Sequence, residues 1–243
     1  MKGVFRNNII HFKEVESTNL LALSMIKENR TPLPFVITTD FQTSGKGQLS
    51  NKWDSENGKN VLMSVAINTD IKIENQFILN VISSLSVLDL LEDLNLENLS
   101  VKWPNDILVG KRKISGVLIQ NKLLSDTIKS AVIGVGLNIN QSNFTTFKRE
   151  ATSVNNENIT NLSISEISDR LLYFLEFRFS KSDNENWKDY SKKLYLKDKV
   201  APFEIEGKKQ MGIIKRVNKT GELVLETEDS IKNFQMKEIE FLI

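Results

Sequence analysis

The chain has 243 residues, with 32 Lys and Arg against 31 Asp and Glu, a formal net charge of +1. That balance provides no basic field for gripping nucleic acid, and the lack of cysteine excludes disulfides, a thiol nucleophile and zinc–thiolate sites. Composition is ordinary for a globular protein, 40% hydrophobic and 26% charged, and the length suits one large domain plus a small one. The first residues lack a signal-peptide apolar core, and no uninterrupted apolar stretch reaches membrane-spanning length, so a cytoplasmic protein without membrane partners is expected.

In chain order, Ile9–Phe12 reads as a short strand. Ser17 is placed to cap a helix running to about Asn29, whose apolar side is Leu20, Leu21, Leu23 and Ile26; Pro32 and Pro34 end it. A strand at Phe35–Thr39 leads into a basic loop, Phe41–Trp53, and Val61–Ile67 reads as a buried strand. Phe77 to Leu94 carries apolar residues at helical spacing. Leu99–Trp103, Ile107–Val109, Ile114–Leu123 and Ile128–Ile139 read as strands, with hairpin turns at Gly110-Lys111 and around Ser125-Asp126. Gln141–Asn161 is polar and reads as a loop. Ser163-Ile164-Ser165-Glu166 is a capping box opening a helix, and Trp187–Leu196 predicts another. From about Asp198, short apolar runs (Val200–Ile205, Met211–Val217, Leu223–Leu225, Ile231–Met236) alternate with turns at Gly207-Lys208 and Lys219–Glu222. They suggest a small β-barrel of the SH3 type and a boundary near Lys197. The rest reads as α+β, a mixed β-sheet with helices on one side.

Three segments carry chemistry. In Lys102-Trp103-Pro104-Asn105-Asp106, the proline cannot donate to a sheet ladder, so the strand breaks there and presents an ammonium, an amide and a carboxylate. Lys113 follows seven residues after Asp106, with Gly116 beyond it. In the basic loop, Gly45-Lys46-Gly47-Gln48 pairs flexible backbone with a cation, and Lys52 adds another. The loop is neither a Walker A motif nor a Rossmann fingerprint. In Ala131–Asn140, Gly134 and Gly136 fall on one strand face; either a helix packs tightly there or a flat ligand lies against the sheet. The single histidine, His11, is read as structural at a sheet edge. No Ser-His-Asp or Cys-His pair is present to run acyl-transfer hydrolysis. Lysines, amides and one carboxylate fit phosphoanhydride and adenylate chemistry, in which a protein mainly positions groups and neutralises charge.

Together these segments closely resemble the biotin protein ligases, also called biotin–[acetyl-CoA-carboxylase] ligases. That family carries a Gly-Arg-Gly-Arg-Arg-Gly-Arg-x-Trp loop, Lys-Trp-Pro-Asn-Asp, a Lys-x-x-Gly-Ile-Leu strand and an Ile-Gly-x-Gly-Ile-Asn strand, in this order. A Ser-Thr-Asn near the start is also typical, here Ser17-Thr18-Asn19. The basic loop departs most: Lys46 replaces the first arginine, and Gln48, Leu49, Ser50 and Asn51 stand where the family often has Arg, Arg, Gly and Arg.

The resemblance implies a class II aminoacyl-tRNA synthetase and biotin–lipoate ligase-like catalytic domain over residues 1–197, followed by the small SH3-like domain over 198–243. It implies two half-reactions: biotin and MgATP give biotinyl-5′-AMP and pyrophosphate, then the acyl group moves to a lysine of a biotin carboxyl carrier domain. Catalytic roles fall on Lys113, Lys46 and Lys102. Biotin binding falls on Ser17, Thr18, Asn19, Gln42, Gly45, Lys46, Gly47, Gln48, Lys113 and Gly116. ATP binding falls on Lys46, Trp53, Lys102, Asn105, Asp106 and Asn138. Asp106 is a candidate Mg²⁺ ligand, or else a partner for Lys102 or Lys113. Trp53 and Trp103 are each large enough to wall the adenine side or to sit in the core.

Three rivals remain. A lipoate or octanoyl ligase shares the fold, but the Arg-Arg-x-x-Gly-Gly segment typical of it is absent. A biotin-sensing repressor needs an N-terminal winged helix, and with the first motif at Ser17 a short form without that domain, and no specific DNA partner, is expected. A binding protein without catalysis is suggested by the sparse cations of the basic loop. Both monomers and homodimers occur in the family.

Overall fold

A helix that crosses between two parallel strands opens the chain: β1 (Ile9–Val15) pairs in parallel with β2 (Phe35–Gln42), and α1 (Thr18–Lys27) joins them. The structure, a computed structural model, describes residues 3–48, 51–144 and 150–242. The remaining strands of the large sheet are antiparallel: β3 (Asn60–Lys72), β4 (Leu99–Lys102), β5 (Asp106–Val109), β6 (Arg112–Leu124) and β7 (Thr127–Asn138). The seven strands run in the order β1-β2-β3-β7-β6-β5-β4, so β3 and β7 are central. His11 lies on the edge strand, its Nδ1 3.1 Å from Thr38 Oγ1.

Helices cover both faces, which corrects the one-sided expectation. Ala22 and Met25 of α1 pack with Ile37, Ala66 and Val132. The alternate residues of the same strands, Val65, Ile133 and Val135, pack on the other face among α2 (Ile78–Asp93) and α3 (Ile164–Ser180). The run Val61–Ile67, apolar but for Ser64 and buried throughout, is the sequence mark of this two-sided burial. Within the apolar α2, Ser83 and Ser86 donate to the carbonyls of Leu79 and Ile82 at 2.7 Å each, which satisfies their hydroxyls inside the core.

α3 opens on Ser163, whose Oγ accepts from Glu166 N–H at 3.4 Å. The complete capping box belongs instead to α4 (Asp183–Lys193), through Ser182 and Glu185, so this helix begins four residues before the expected Trp187. Arg178 on α3 forks onto Asp89 of α2 at 2.5 and 2.6 Å and reaches Asp189 of α4 at 2.9 Å, tying three helices together. Tyr190, fully buried between Phe77 and Trp187, has its phenol pushed above the usual tyrosine range by desolvation.

The C-terminal strands β8 (Val200–Ile205), β9 (Lys208–Val217), β10 (Leu223–Glu226), β11 (Ile231–Phe234) and β12 (Ile239–Phe241) form a second, antiparallel sheet in the order β11-β10-β9-β8-β12. β12 has no counterpart in the sequence reading. The apolar cluster that includes Val101 and Trp103 continues through Phe203, Ile214 and Leu223, so the two sheets share one core.

Candidate active site

Sheet register places the sequence motifs in cross-strand rows on the face that α1 only partly covers. Because directly opposed residues share a face, Lys102, Asp106, Gly116, Gly136 and Leu62 form one row across β4, β5, β6, β7 and β3. Two residues along lies a second row of Leu118, Gly134, Ser64 and Ile37. The N-terminus of α1 sits over the second row. The first row extends beyond the helix as a floor.

Polar groups converge where α1 begins. Ser17 occupies the N-cap position and is buried, but its side chain makes no capping hydrogen bond, contrary to the expected cap role. Gln42 supplies the cap instead: its Oε1 accepts from Thr18 N–H at 2.9 Å and from Thr18 Oγ1 at 3.2 Å. Ser64 Oγ donates to Asn19 Oδ1 at 2.6 Å and lies 2.7 Å from Thr18 Oγ1. The Asn19 amide donates to Leu118 O at 3.2 Å and to Gln120 Oε1 at 2.9 Å. Ser64 and Gln120 were missed in the sequence. The available signal was a lone serine inside the apolar run Val61–Ile67, visible as functional only once β3 is registered against β7.

The space above the two glycines is filled by this chain's own side chains. A Cβ on Gly134 would overlap the Asn19 side-chain amide, and one on Gly136 would overlap the Trp53 indole. At Gly134 the tight helix-on-sheet alternative is therefore the one observed. The basic loop brings Trp53 there. Gly47 N–H donates to Asn51 O at 2.7 Å, Trp53 N–H donates to Gly45 O at 3.0 Å, and Lys46 bridges antiparallel to Lys52. The loop thus folds back, with the exposed Lys46 and Lys52 side by side and the indole on the floor; Gln48 is half-buried, and its carbonyl accepts from Asn51 N–H at 3.0 Å. Leu49 and Ser50 lie outside the described residues.

At the far end of the floor, Lys113 Nζ sits 2.6 Å from Asp106 Oδ1, 5.4 Å from the Trp53 ring centroid and against Gly116. Of the two partners considered for Asp106, Lys113 is engaged in this contact. Backbone bonds on both sides of Lys113, from its N–H to Glu150 O and from Thr152 N–H to its carbonyl, each 2.9 Å, fix the base of the side chain. Asn105 is buried, and its amide donates to Val117 O at 2.5 Å while Val117 N–H donates to Asn105 O at 3.1 Å; its amide holds β5 to β6 rather than facing the floor. Lys102 Nζ sits 4.6 Å above the Phe241 ring. Trp103 is 3% exposed and lies in the core. Asn138 donates to Thr152 O at 2.9 Å, and its buried Oδ1 has no hydrogen-bond partner among the described residues, as is also true of Trp53 Nε1.

The structure therefore brings Lys113, Asp106, Gly116, Trp53 and Asn138 to one stretch of floor and Ser17, Thr18, Asn19 and Gln42 to the head of α1, with Gly45 beside Gln42. Lys102, on the same row, extends to the Phe241 ring, and the Asn105 amide is taken up by Val117 O. A separate cleft of about 690 Å³ at the β5–β6 turn, lined by Asn98, Gly110, Arg112 and Glu157 among others, includes none of these residues; within it Arg112 pairs with Glu157 at 2.9 Å. Among the described residues no cluster of His, Asp and Glu forms a metal cage.

Comparison with known proteins matches the sequence model of the biotin/lipoate A/B protein ligase family to residues 11–138, from within β1 to the end of β7. The chain belongs to the biotin/lipoate A/B protein ligase family. The bifunctional ligase/repressor BirA of Bacillus subtilis is 30% identical over 138 residues, 57% of this chain and 42% of that protein. The match therefore spans less than half of that relative's length. The biotin–[acetyl-CoA-carboxylase] ligase of Mycobacterium tuberculosis is 27% identical over 199 residues, 79% of this chain and 73% of that one. The biotin protein ligase from Aquifex aeolicus, solved in complex with biotin and ATP, superposes with a TM-score of 0.77 at 27% identity and covers 96% of this chain and 97% of its own. No helix among the described residues is long and apolar enough to cross a membrane.

Proposed function

We propose that this family member is an ATP-dependent biotin–protein ligase, which activates biotin as biotinyl-5′-AMP with release of pyrophosphate and then passes biotin to a lysine of a biotin carboxyl carrier domain, as in acetyl-CoA carboxylase. The observation that carries this reading is the floor itself. A cation, Lys113, held by Asp106, stands at one end; a cluster of hydroxyls and amides around Thr18 and Gln42 stands at the other. Biotin has the same polarity pattern, a neutral urea at one end that needs donors and acceptors and a carboxylate at the other.

In the first half-reaction two anions, the carboxylate and the α-phosphate, must meet. At about 4 Å such charges repel by about 4 kcal/mol at an effective dielectric of 20. Lys113 is placed to offset that repulsion and to stabilise charge developing at phosphorus. Trp53 offers a ring face beside the floor, and Asn138 Oδ1 is an acceptor suited to an exocyclic amine such as adenine's. Lys46 and Lys52, paired on the loop, are the cations available to close over the phosphate. Mg²⁺ fits as part of MgATP: the ion is commonly held by phosphates, waters and one or two carboxylates, and Asp106 is the carboxylate on the floor. The segment 198–243 is read as an SH3-like unit completing the nucleotide side.

Lipoate or octanoate activation is the second reading, disfavoured because the related proteins above are biotin ligases. Pyrophosphate release by the purified protein, with MgATP and either biotin or lipoate, separates the two. Release with biotin alone is expected, and release with lipoate alone overturns the proposal.

A further inference from the structure

Above Gly134 a run of hydrogen bonds joins β6 to the head of α1, and its donors and acceptors fit together in one order. Leu118 O is a backbone carbonyl, so the Asn19 atom facing it at 3.2 Å is the amide nitrogen; the second amide hydrogen goes to Gln120 Oε1 at 2.9 Å. Asn19 Oδ1 is therefore an acceptor, and Ser64 Oγ, 2.6 Å away, donates to it. A hydroxyl has one hydrogen, so Ser64 Oγ can only accept from Thr18 Oγ1, which lies at 2.7 Å. At the other end a backbone donor fixes the order: Thr18 N–H meets Gln42 at 2.9 Å, which makes that atom Oε1. The Thr18 hydroxyl thus stands between two accepting oxygens, Ser64 Oγ and Gln42 Oε1 at 3.2 Å, and its one hydrogen is committed to them. Only lone pairs remain on Thr18 Oγ1. The donor end of the Gln42 amide, Nε2, lies beside Gly45. Gly134 makes the arrangement possible, since a Cβ there would stand 2.2 Å from Asn19 Oδ1.

We infer that Gln120, Asn19 and Ser64 are positioning residues that hold the Thr18 hydroxyl as an acceptor, so that this end of the site selects a ring bringing an N–H with a carbonyl beside it, the pattern of a cyclic urea. The three act through Thr18. Ser64 is fully buried, and Asn19 has given both amide hydrogens to Leu118 and Gln120, so neither has a hydrogen left for a ring. Without Ser64 the Thr18 hydrogen loses its nearer acceptor, and the hydroxyl can turn that hydrogen against an arriving N–H. A dithiolane ring brings no N–H and no carbonyl; it leaves the Thr18 lone pairs and the Gln42 donor unmatched in a buried place, and a site built this way rejects such a ring. This inference deepens the ligase reading above and rests on it.

The test is a double-mutant cycle on the full chain, read as the Kd for biotin by titration calorimetry. Losing one hydrogen bond of this kind corresponds to roughly a two- to tenfold loss of affinity. Ser64→Ala should raise the Kd by about that factor, and Thr18→Val, which removes the hydroxyl itself, by at least as much. In the Thr18→Val background Ser64→Ala should add less than about twofold, because its effect passes through the missing hydroxyl; a merely structural contribution of Ser64 would add in full. At the far end of the run, Gln120→Leu should weaken biotin binding by roughly two- to tenfold, and Gln120→Glu, which keeps an acceptor for the Asn19 amide, should stay within about twofold of wild type. Additive losses in the cycle, an unchanged Kd in Ser64→Ala, or equal affinities for the two Gln120 variants overturn the inference. If Ser64→Ala does not fold by circular dichroism, Gln120→Leu takes its place in the cycle, with the same expected and contrary results. Absence of biotin binding by folded wild-type protein overturns the ligase reading itself, whereas binding with an additive cycle overturns this inference alone.

Discussion

Replacing Lys113 by alanine removes the cation from the point where carboxylate and phosphate must meet, and it has a second consequence. Asp106, 2.6 Å from Lys113 Nζ and with its side chain 19% exposed, is left as a carboxylate without that ammonium. Loss of one charge-stabilising contact in a transition state costs about 2.7–4 kcal/mol, or a factor of about 10²–10³ in rate. The released carboxylate adds to this: at roughly 5 Å and an effective dielectric of 20 it repels an arriving anion by about 3 kcal/mol, less whatever solvent screens. Lys113→Ala should therefore lower biotin-dependent pyrophosphate release by at least about 10²-fold. Adding Asp106→Asn should recover part of the loss, on the order of tenfold, since the repulsion disappears while the missing cation stays missing. Stopped-flow or radiolabelled pyrophosphate assays on both variants, with circular dichroism to confirm folding, provide the measurement. Near-normal release by a folded Lys113→Ala protein refutes the role of this lysine. A double variant slower than the single one refutes the electrostatic account of Asp106.

Gly134→Ala should push the Asn19 amide off the sheet, since the new methyl overlaps it; the expected outcome is a loss of about 1–3 kcal/mol in stability from overpacking and at least tenfold weaker biotin binding, read by urea unfolding and calorimetry. Arg178→Met should destabilise by about 3 kcal/mol, because it leaves Asp89 and Asp189 without their guanidinium; an unchanged urea midpoint would contradict this. The hydrogen bond from Arg178 holds the Asp189 carboxyl below the usual carboxylate range. Its contribution is therefore present above the unfolded value of about 4 and is lost as pH falls through the lower folded value, so Asp189→Asn should flatten the fall in stability below about pH 4. In the basic loop, Lys46→Ala should hasten escape of biotinyl-AMP or prevent its formation, whereas Gln48→Arg should slow escape about tenfold by adding a charge-assisted bond. An unchanged or faster rate in Gln48→Arg means that cation count does not govern retention.

Much of this arrangement was legible in the chain because it depends on local pattern. The turns at Gly110-Lys111 and Ser125-Asp126 fix the antiparallel register of β5, β6 and β7, and that register puts Gly116 opposite Gly136 and Asp106 opposite Gly116. The paired glycines correctly signalled a close approach. What approaches was not legible, since it requires knowing where α1 and the basic loop return to the sheet: Asn19 covers one glycine and Trp53 the other. Ser64 was hidden for the same reason, as its partners lie 45 and 46 residues away. The cap of α1 was misread because Ser17 has the right residue type at the right place, while the acceptor comes from Gln42 on a different strand. The start of α4 was misplaced because its polar first turn, Asp183–Asn186, offers no apolar period; Ser182 and Glu185 were the available signal. Trp103 was open between the adenine wall and the core, and the second sheet, whose Gly221 carbonyl accepts its indole N–H at 2.8 Å, places it in the core.

The central claim is that the floor between Lys113 and Thr18 activates biotin with ATP. Incubation of the purified protein with biotin and MgATP, without any acceptor, followed by mass spectrometry tests it most directly. The account predicts biotinyl-5′-AMP that depends on both substrates and disappears in Lys113→Ala. Absence of the adenylate from folded wild-type protein, or equal formation of lipoyl-AMP from lipoate, would contradict it.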